Sequence, residues 1–518
     1  MIQNADATSL RAPNFATWLG FVAMCIGMFM AILDVQIVAT SLPTIQGALS
    51  IHPDQMSWIQ TAYLIAEVVA IPLTGFLTKL FSMRWLFVFG TAIFTLTSIG
   101  CAQSGTFFAL LVWRILQGFS GGTLIPLVFS AVFLLFPLRR QSVATTIAGV
   151  LAVLAPTVGP IVGGWITNTY SWHWLFLINV LPGLFATSLA IFLLPRVPMQ
   201  LRQIRSLDFP SLALMAAGLA TLELALKEAP HSGWTGPWVL VLMSFSATNL
   251  LAFSLRTWNS RNPLVDLRNF RDRNFSIGCV LSFVLGFGLF GAVYLMPVFL
   301  AFVRGHNALE IGSMMLVTGM VQLMIAPIAV LLEKRAEARL LSTFGFVLFA
   351  IGLGYSAFQT PQTDSDGMFW PQCIRGLAIM FCLLPPTRLA LGNLPEEQVP
   401  DASGLFNLMR NLGGAIGLAI IDTVIYTRST THGVAIANKL LAGDMRTAEF
   451  VGIDRNVFLQ HLPGQLDAAA QSIFSPLIAK AATVQSINDA WAMLAIITLV
   501  PLLIIPFAND DFRQSLKE

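Results

Sequence analysis

The feature that most constrains this chain is a succession of apolar runs that are nearly free of charge. A helix of about 20 apolar residues crosses the hydrocarbon core of a bilayer, and it satisfies its own backbone hydrogen bonds there. We therefore predict an all-α, polytopic membrane protein with 14 transmembrane helices. The predicted spans lie near residues 17–39, 57–78, 84–104, 107–130, 143–167, 173–194, 207–226, 237–257, 276–300, 309–331, 339–358, 368–391, 404–426 and 488–509.

Composition agrees with a membrane protein and excludes a soluble domain. Only 11% of the 518 residues are charged and 56% are hydrophobic, whereas soluble domains average roughly a quarter charged residues. The first run is longer than the core of a cleavable signal peptide and contains Asp34, so we expect it to remain as the first span. The net charge of +3 does not indicate nucleic-acid binding, because the basic residues lie between spans.

Arginine and lysine residues predict the orientation of the chain. They occupy alternate loops, while the short opposite loops carry almost none, only Lys227 and Arg304. Cytoplasmic loops hold the excess of basic residues in membrane proteins. We therefore predict a multi-pass protein of the inner, or cytoplasmic, membrane with both termini in the cytoplasm.

A weak internal repeat predicts two halves. Gln117-Gly118 in the fourth span has a counterpart in Arg375-Gly376 of the twelfth, and glycines recur in the fifth and thirteenth spans. A parallel repeat of six-helix halves places the substrate site between the halves near mid-membrane. The predicted division is residues 1–200 as the amino-terminal half, 201–262 as two inserted linker helices, and 263–518 as the carboxy-terminal half with an external loop at 428–487.

The external loop contains a helical pattern. Leu466, Ala470, Ile473, Leu477 and Ala481 follow helical spacing. This spacing predicts an amphipathic helix at the membrane surface or against a partner. A plain surface insertion is the alternative.

The sequence contains no motif typical of a metal site, a cofactor site or an enzyme. The five cysteines fall singly in apolar stretches, and the six histidines are scattered. The chain has no phosphate-binding G-x-x-x-x-G-K-[ST] loop, no H-E-x-x-H and no G-x-S-x-G. We predict no metal site and no cofactor, and an ATP-driven pump or a membrane enzyme is disfavoured.

The fifth span is crowded with small residues and prolines, at Pro156, Gly159, Pro160, Gly163 and Gly164. Glycines four residues apart let a neighbouring backbone approach closely, and prolines favour a bend. A plain helix-packing seam would show the same weak pattern. The run resembles the fifth-helix antiporter motif of the major facilitator superfamily, in the fourteen-helix drug/proton antiporter branch of EmrB/QacA type. That motif often has Gly where this chain has Ala155, which is still small.

The resemblance implies proton-coupling residues. Asp34 lies in a run similar to the first-helix motif of this branch, where an acidic residue takes part in proton coupling. Arg114 resembles the buried arginine of the fourth-helix motif, and because arginine does not deprotonate in proteins it can serve only as a fixed counter-charge. Glu67 lies deep in an apolar span and follows a run like the second-helix start of the branch. Inserting an ionisable side chain at mid-membrane costs about 2.5–3.5 kcal/mol, so we expect each of these residues to have a specific role. Static interhelical hydrogen bonding is the alternative role.

We predict that the substrate cavity lies between the halves. Methionine and aromatic side chains adapt to varied apolar ligands, although most of those in this chain are expected to face lipid. The predicted cavity residues are Met28, Gln36, Tyr63, Gln117, Asn407 and Asn411.

The loop between the second and third spans departs from the superfamily pattern. That pattern usually has Asp where this chain has Lys79 and Gly where it has Ser82. The usual charged clasp of the inward gate is therefore in doubt. Arg139, Arg140 and Arg410 could clasp the cytoplasmic face instead, and topology signalling explains these basic residues as well.

Together these features predict a proton-coupled antiporter that exports small lipophilic drugs or toxic compounds by alternating access. The alternatives are a dedicated exporter of one metabolite or siderophore, a proton-linked importer, and a non-transporting membrane scaffold. The predicted partners are a small-molecule substrate, protons and the lipid bilayer. EmrB-like members of two-membrane bacteria work with a periplasmic adaptor and an outer-membrane channel, whereas QacA-like members act alone, and the sequence leaves both open.

Overall fold

The computed structural model describes residues 14–49, 52–260, 262–460 and 468–509. Their regular structure is helical, with no strand among them, so the predicted all-α class is confirmed. The α-helices are α1 Phe15–Leu49, α2 Pro53–Met56, α3 Trp58–Ala102, α4 Phe107–Leu135, α5 Leu138–Thr169, α6 Trp174–Leu177, α7 Val180–Leu193, α8 Phe209–Ser232, α9 Pro237–Trp258, α10 Arg273–Phe299, α11 Ala308–Glu333, α12 Ala338–Tyr355, α13 Ser365–Leu391, α14 Val399–Leu441, α15 Met445–Val451, α16 Arg455–Gln460 and α17 Ala468–Thr498.

The described residues contain the fourteen predicted crossings in thirteen long apolar segments. Helix α3 accounts for the difference, because its 45 residues would measure about 68 Å at about 1.5 Å per residue, against a hydrocarbon core of about 30 Å. Ser82 interrupts it with φ 67° and ψ 158°. Helix α3 is therefore two crossings joined at Ser82, the position where the superfamily pattern has glycine.

The helices pack as two bundles and one additional pair, α8 and α9. Helices α1, α3, α4, α5 and α7 contact one another and form the amino-terminal bundle, and α10, α12, α13, α14 and α17 form the carboxy-terminal bundle. Helix α11 joins the carboxy-terminal bundle through α13 and also packs along α5. Helix α8 packs on α9, α3 and α14, so it contacts both bundles.

Glycines let helices approach closely within each bundle. A Cβ atom on Gly122 would lie 2.7 Å from the carbonyl oxygen of Glu67, and one on Gly118 would overlap the backbone of Tyr63. In the carboxy-terminal bundle a Cβ on Gly286 or Gly413 would likewise overlap the facing backbone of α14 or α10. These seams hold Glu67 and Arg410 at fixed positions beside the space between the bundles.

Helices α14 and α17 extend beyond the predicted spans into the segment predicted as an external loop. Ile436 and Leu440 of α14 pack with Ala481 and Ala482 of α17 and with α15 and α16. This small apolar core explains the extension, because a helix end continues when its apolar face has a partner. Leu477 and Ala481 of the predicted amphipathic pattern belong to this core. Leu466 and the side chains of Ala470 and Ile473 lie outside the described residues.

Candidate functional site

Asp34 and Arg114 form an ion pair inside the amino-terminal bundle. Both side chains are fully buried. The Arg114 Nε atom donates a hydrogen bond of 3.2 Å to the carbonyl oxygen of Ile59, and Nη1 donates to Gln117 Oε1 at 2.7 Å. A buried pair is tolerated only when its remaining hydrogen-bonding groups are satisfied, and most of those of Arg114 are.

Polar neighbours complete the partners of the Asp34 carboxylate. Gln117 Nε2 donates to Asp34 Oδ1 at 3.0 Å, and Asn179 Nδ2 donates to the same oxygen at 2.8 Å. Asn179 lies in the break between α6 and α7, and it is not among the predicted site residues because a single Asn at a helix break gives no distinctive sequence signal. Tyr63 lies with its ring centroid 4.3 Å from the Arg114 guanidinium carbon. Both oxygens of the Asp34 carboxylate therefore have partners in this conformation.

A cavity of about 130 Å³ lies between the two bundles. Residues of α1, α3, α4, α5, α8, α10, α13 and α14 line it. Most of the wall is apolar, as in sites for small lipophilic ligands. The polar and charged lining residues are Gln36, Glu67, Glu223, Asn407, Arg410 and Asn411.

The structure brings some of the predicted site residues to this cavity and places others behind its wall. Gln36, Glu67, Pro156, Asn407 and Asn411 line it. Among the other predicted residues, Met28 and Tyr63 are buried in the core of the amino-terminal bundle, and Gln117 belongs to the Asp34 network. Asp34 and Arg114 also lie outside the cavity lining.

Two charged lining residues were not among the predicted site residues. From sequence, Glu223 reads as an ordinary helix-end pair with Lys227 at i+4, but the Lys227 ammonium instead lies 4.2 Å from the centroid of the Trp58 ring. From sequence, Arg410 is either part of a cytoplasmic clasp or a topology signal, but it lines the cavity. Its guanidinium carbon lies 5.3 Å from the ring centroids of both Phe129 and Phe406. The position of Glu223 inside an apolar span was the sequence signal that could have identified it.

At the Lys79 end of the protein, where the turn at Ser82 lies, the two bundles are in direct contact. Lys79 of α3 forms an ion pair with Asp401 in the first turn of α14. Ser403 donates a hydrogen bond of 2.7 Å to the carbonyl oxygen of Pro126 in α4. The position that a Cβ on Gly75 would need is occupied by Asp401. These contacts close the cavity at this end.

A second charged cluster lies around His306, between the carboxy-terminal end of α10 and the start of α11. It connects the start of α11 to the start of α13. His306 contacts Asp364 at 3.0 Å and Glu310 at 3.1 Å, and Arg304 Nη2 donates to Asp364 at 2.7 Å. The Arg304 hydrogen bond lowers the pKa of Asp364 to about 2. The hydrogen bond to Asp364 raises the pKa of His306 above its ordinary value.

Two helical bundles around an apolar cavity, with a buried carboxylate–arginine pair in one of them, are the arrangement that the antiporter resemblance implies. The family model of the Major Facilitator Superfamily matches residues 24–418. The chain belongs to this superfamily.

Relatives place this facilitator near transporters of EmrB type. It is 36% identical over 511 residues to the "Colistin resistance protein EmrB" of Acinetobacter baumannii, covering 96% of this chain and 98% of the relative. It is 32% identical over 418 residues to the "Multidrug export protein EmrB" of Escherichia coli K12, covering 79% and 80%. The "Fatty acid resistance protein FarB" of Neisseria gonorrhoeae is 29% identical over 428 residues, covering 82% and 84%. The predicted family is confirmed.

Solved structures agree on the fold of this facilitator. The human organic anion transporter MFSD10 superposes with a TM-score of 0.60 at 14% identity, covering 94% of this chain and 99% of that one. The proton:xylose symporter XylE superposes with a TM-score of 0.57 at 13% identity, covering 96% of each chain. These similarities confirm a multi-pass major facilitator fold and carry no information about substrate.

The antiporter-like motif of this facilitator lies against α1 and beside α11. All five predicted motif residues are buried in α5. A Cβ atom on Gly159 would overlap the Cβ of Gln36, so glycine permits the close approach of α1 and α5. Pro156 lines the cavity. On the other face of α5, Ile161 occupies the position that a Cβ on Gly312 of α11 would need. The motif therefore lies where the two bundles meet.

Proposed function

We propose that this protein is a proton-coupled antiporter that exports small lipophilic toxic compounds across the cytoplasmic membrane. The observation that carries the proposal is the buried Asp34–Arg114 pair beside an apolar cavity between two bundles. Relatives named for multidrug export and for colistin and fatty acid resistance support export of toxic compounds.

Asp34 is the proposed proton carrier. Its carboxylate is paired with Arg114 and accepts hydrogen bonds from Gln117 and Asn179 in this conformation. A conformational change that moves Arg114 away would leave the carboxylate desolvated and unpaired, and it would then take up a proton. Protonation therefore biases one conformation over the other, and a substrate that prefers the opposite conformation becomes coupled to the proton.

Alternating access is proposed to occur by rocking of the halves, residues 1–200 and 263–518, with both termini in the cytoplasm. The Lys79–Asp401 pair and the Ser403–Pro126 hydrogen bond would separate when the Lys79 end opens. The glycine and proline motif of α5 would serve as the sliding surface. Moving one charge across 100 mV supplies about 2.3 kcal/mol, which exceeds the net energy of one typical hydrogen bond of about 1 kcal/mol.

The test is transport by the purified full chain in liposomes with an imposed proton gradient. Asp34→Asn keeps the size and most hydrogen bonds of the side chain but cannot release a proton, so gradient-driven efflux should be lost while insertion remains normal. Asp422→Asn is a matched control, because Asp422 accepts a hydrogen bond of 2.6 Å from Tyr294 and lies outside the cavity lining. Equal transport with the gradient collapsed would contradict antiport.

The assembly with other components is a separate part of the proposal. The apolar core formed by α14 to α17 stands beyond the predicted spans and is the segment proposed to contact a periplasmic adaptor that leads to an outer-membrane channel. Co-purification of an adaptor that is lost on deleting residues 440–480 would support this assembly. Full resistance conferred in a host without the adaptor would favour a protein that acts alone.

A further inference from the structure

The cavity carries an acidic pair supplied by two different parts of the fold. Glu67 comes from α3 of the amino-terminal bundle, and Glu223 comes from α8, the inserted helix that contacts both bundles. Glu67 is 6% exposed. Glu223 Oε2 is buried and has no hydrogen-bond partner among the described residues. Buried carboxylates without partners are costly, and such groups mark ligand or ion sites more often than structural ones.

The nearby basic residues do not neutralise this pair. Arg114 is committed to Asp34. Lys227, one turn from Glu223, lies over the Trp58 ring, and no ion pair joins Lys227 to Glu223 within the described part of the chain. Two carboxyl groups and one guanidinium group therefore face the same cavity, and none of them has an ion-pair partner among the residues that the structure describes.

Helix α8 is held in place from both sides, so Glu223 has a defined position. Ser246 of α9 donates a hydrogen bond of 2.8 Å to the carbonyl oxygen of Gly218. Trp234, just after α8, donates a hydrogen bond of 3.0 Å to the hydroxyl of Thr423 in α14. Lys227 contacts Trp58 at the start of α3. These contacts come from α9 and from each bundle.

Arg410 completes the charge count of the cavity. Its Nε and Nη2 atoms have no hydrogen-bond partner among the described residues, and its guanidinium lies near the rings of Phe129 and Phe406. With both glutamates ionised the three side chains sum to one negative charge. One bound monovalent cation makes the cavity neutral, which is the arrangement a low-dielectric site favours.

We infer that the inserted helix pair contributes to substrate selection, and that Glu223 together with Glu67 binds the charged group of a monovalent, amphiphilic organic cation. This inference rests on the proposed export function and names its substrate class. The apolar wall of the cavity, which includes Ile32, Leu64 and Phe290, would contact the apolar body of the cation.

The test is equilibrium binding to the full chain in lipid nanodiscs, with empty nanodiscs as the blank. Tetraphenylphosphonium is the probe, and tetraphenylborate has the same shape and the opposite charge. Glu223→Gln and Glu67→Gln should each weaken phosphonium binding by about tenfold or more, because one member of a desolvated charge contact is removed. Neither change should weaken borate binding. Glu223→Asp keeps the charge and should recover part of the affinity.

Glu228→Gln is the matched control on the same helix, because Glu228 contacts Ser232 and is absent from the cavity lining. Phosphonium binding that is unchanged in Glu223→Gln would overturn the inference, as would an equal loss in Glu228→Gln. Failure of the inference is separable from failure of antiport. If Asp34→Asn abolishes gradient-driven efflux while Glu223→Gln binds normally, antiport stands and the cation site is wrong. If Glu223→Gln weakens phosphonium binding while Asp34→Asn leaves efflux unchanged, the cation site stands and antiport through Asp34 is wrong.

Discussion

Lys79 of α3 and Asp401 of α14 form an ion pair that joins the two bundles. Asp401 is almost fully buried, whereas the Lys79 side chain is 41% exposed. The superfamily pattern usually has Asp where this chain has Lys79, so the sign of the charge in this loop is reversed. A carboxylate in the first turn of a helix is also favoured by the helix dipole, which explains why the acid lies on α14.

Reversing one of these charges should favour opening at the Lys79 end. In Lys79→Asp two carboxylates face each other. Because the pair is partly exposed, we expect the free-energy difference between the closed and open forms to change by about 1 kcal/mol, which raises the population of the open form about fivefold. Lys79→Asp combined with Asp401→Lys should restore part of the closure, because the opposite charges pair again while a lysine in the first turn of α14 is disfavoured by the helix dipole. Distances between spin labels placed on the two bundles measure the population of the open form. Arg256→Gln breaks the Asp208 pair at the same end and should leave the distances unchanged.

The stability of the Asp34–Arg114 pair can be separated from its transport role. Arg114→Met leaves Asp34 buried without its cation and should lower the free energy of unfolding by about 3–5 kcal/mol. Adding Asp34→Asn removes the unpaired charge, so the double variant should regain much of that loss. Thermal unfolding in detergent measures stability, and liposome efflux should remain absent in both variants. A double variant as unstable as Arg114→Met would contradict the buried-pair interpretation.

Ser82 is the one non-glycine residue with positive φ in the described part of the chain. Its φ of 67° and ψ of 158° lie in a region occupied essentially by glycine, at a cost of about 1–3 kcal/mol. Ser82→Gly should therefore raise the free energy of unfolding by about 1 kcal/mol after the entropy cost of glycine, about 0.5–1 kcal/mol. Ser57→Gly is the control, because its φ of −63° suits any residue, and it should not stabilise the protein.

Gly159 should tolerate no side chain. Gly159→Ala forces a new Cβ against the Cβ of Gln36, which lies close to the helix backbone and cannot swing away, so we expect a loss of about 1–3 kcal/mol. Gly149→Ala in the same helix would meet only the end of the Leu383 side chain, which can change rotamer. Thermal unfolding of the two variants should therefore differ, and equal losses would contradict close packing at Gly159.

The His306 cluster predicts a pH dependence of stability. The raised pKa of His306 means that its contribution is complete below about pH 6.5, the unfolded value, and is lost as pH rises through the folded pKa. The contribution of Asp364 is complete above about pH 3.9 and is lost as pH falls through about 2. Stability from this cluster should therefore be greatest between about pH 4 and 6.5.

Thermal unfolding measured from pH 5 to pH 9 checks this dependence. His306→Gln should flatten the loss of stability above about pH 6.5. His173→Gln is the control, because the His173 ring contacts a hydroxyl, that of Ser171 at 3.2 Å, rather than a carboxylate. A wild-type curve that rises with pH over this range would contradict the assigned sign.

Much of the architecture could be predicted because it follows from local sequence. Apolar runs about as long as the bilayer core is thick gave the fourteen crossings, and the motif around Asp34, Arg114 and Pro156 gave the family. Helical extension past residue 426 could not be predicted, since the reason for it is a contact between α14 and α17, which are distant in sequence.

For the charged residues, too, some properties could be predicted from sequence and others depend on the tertiary structure. That Glu67 and Glu223 lie inside spans can be predicted from sequence, because each stands within an apolar run long enough to cross the bilayer. Which side chains share a cavity depends on how helices rotate and pack, so Lys227 contacts Trp58 rather than Glu223, and Lys79 finds Asp401 at a distance of 322 residues along the chain. The sequence by itself determined the number of crossings and the buried charges, whereas the tertiary structure alone decided their partners, because pairing energies depend on distances between helices that no local pattern encodes.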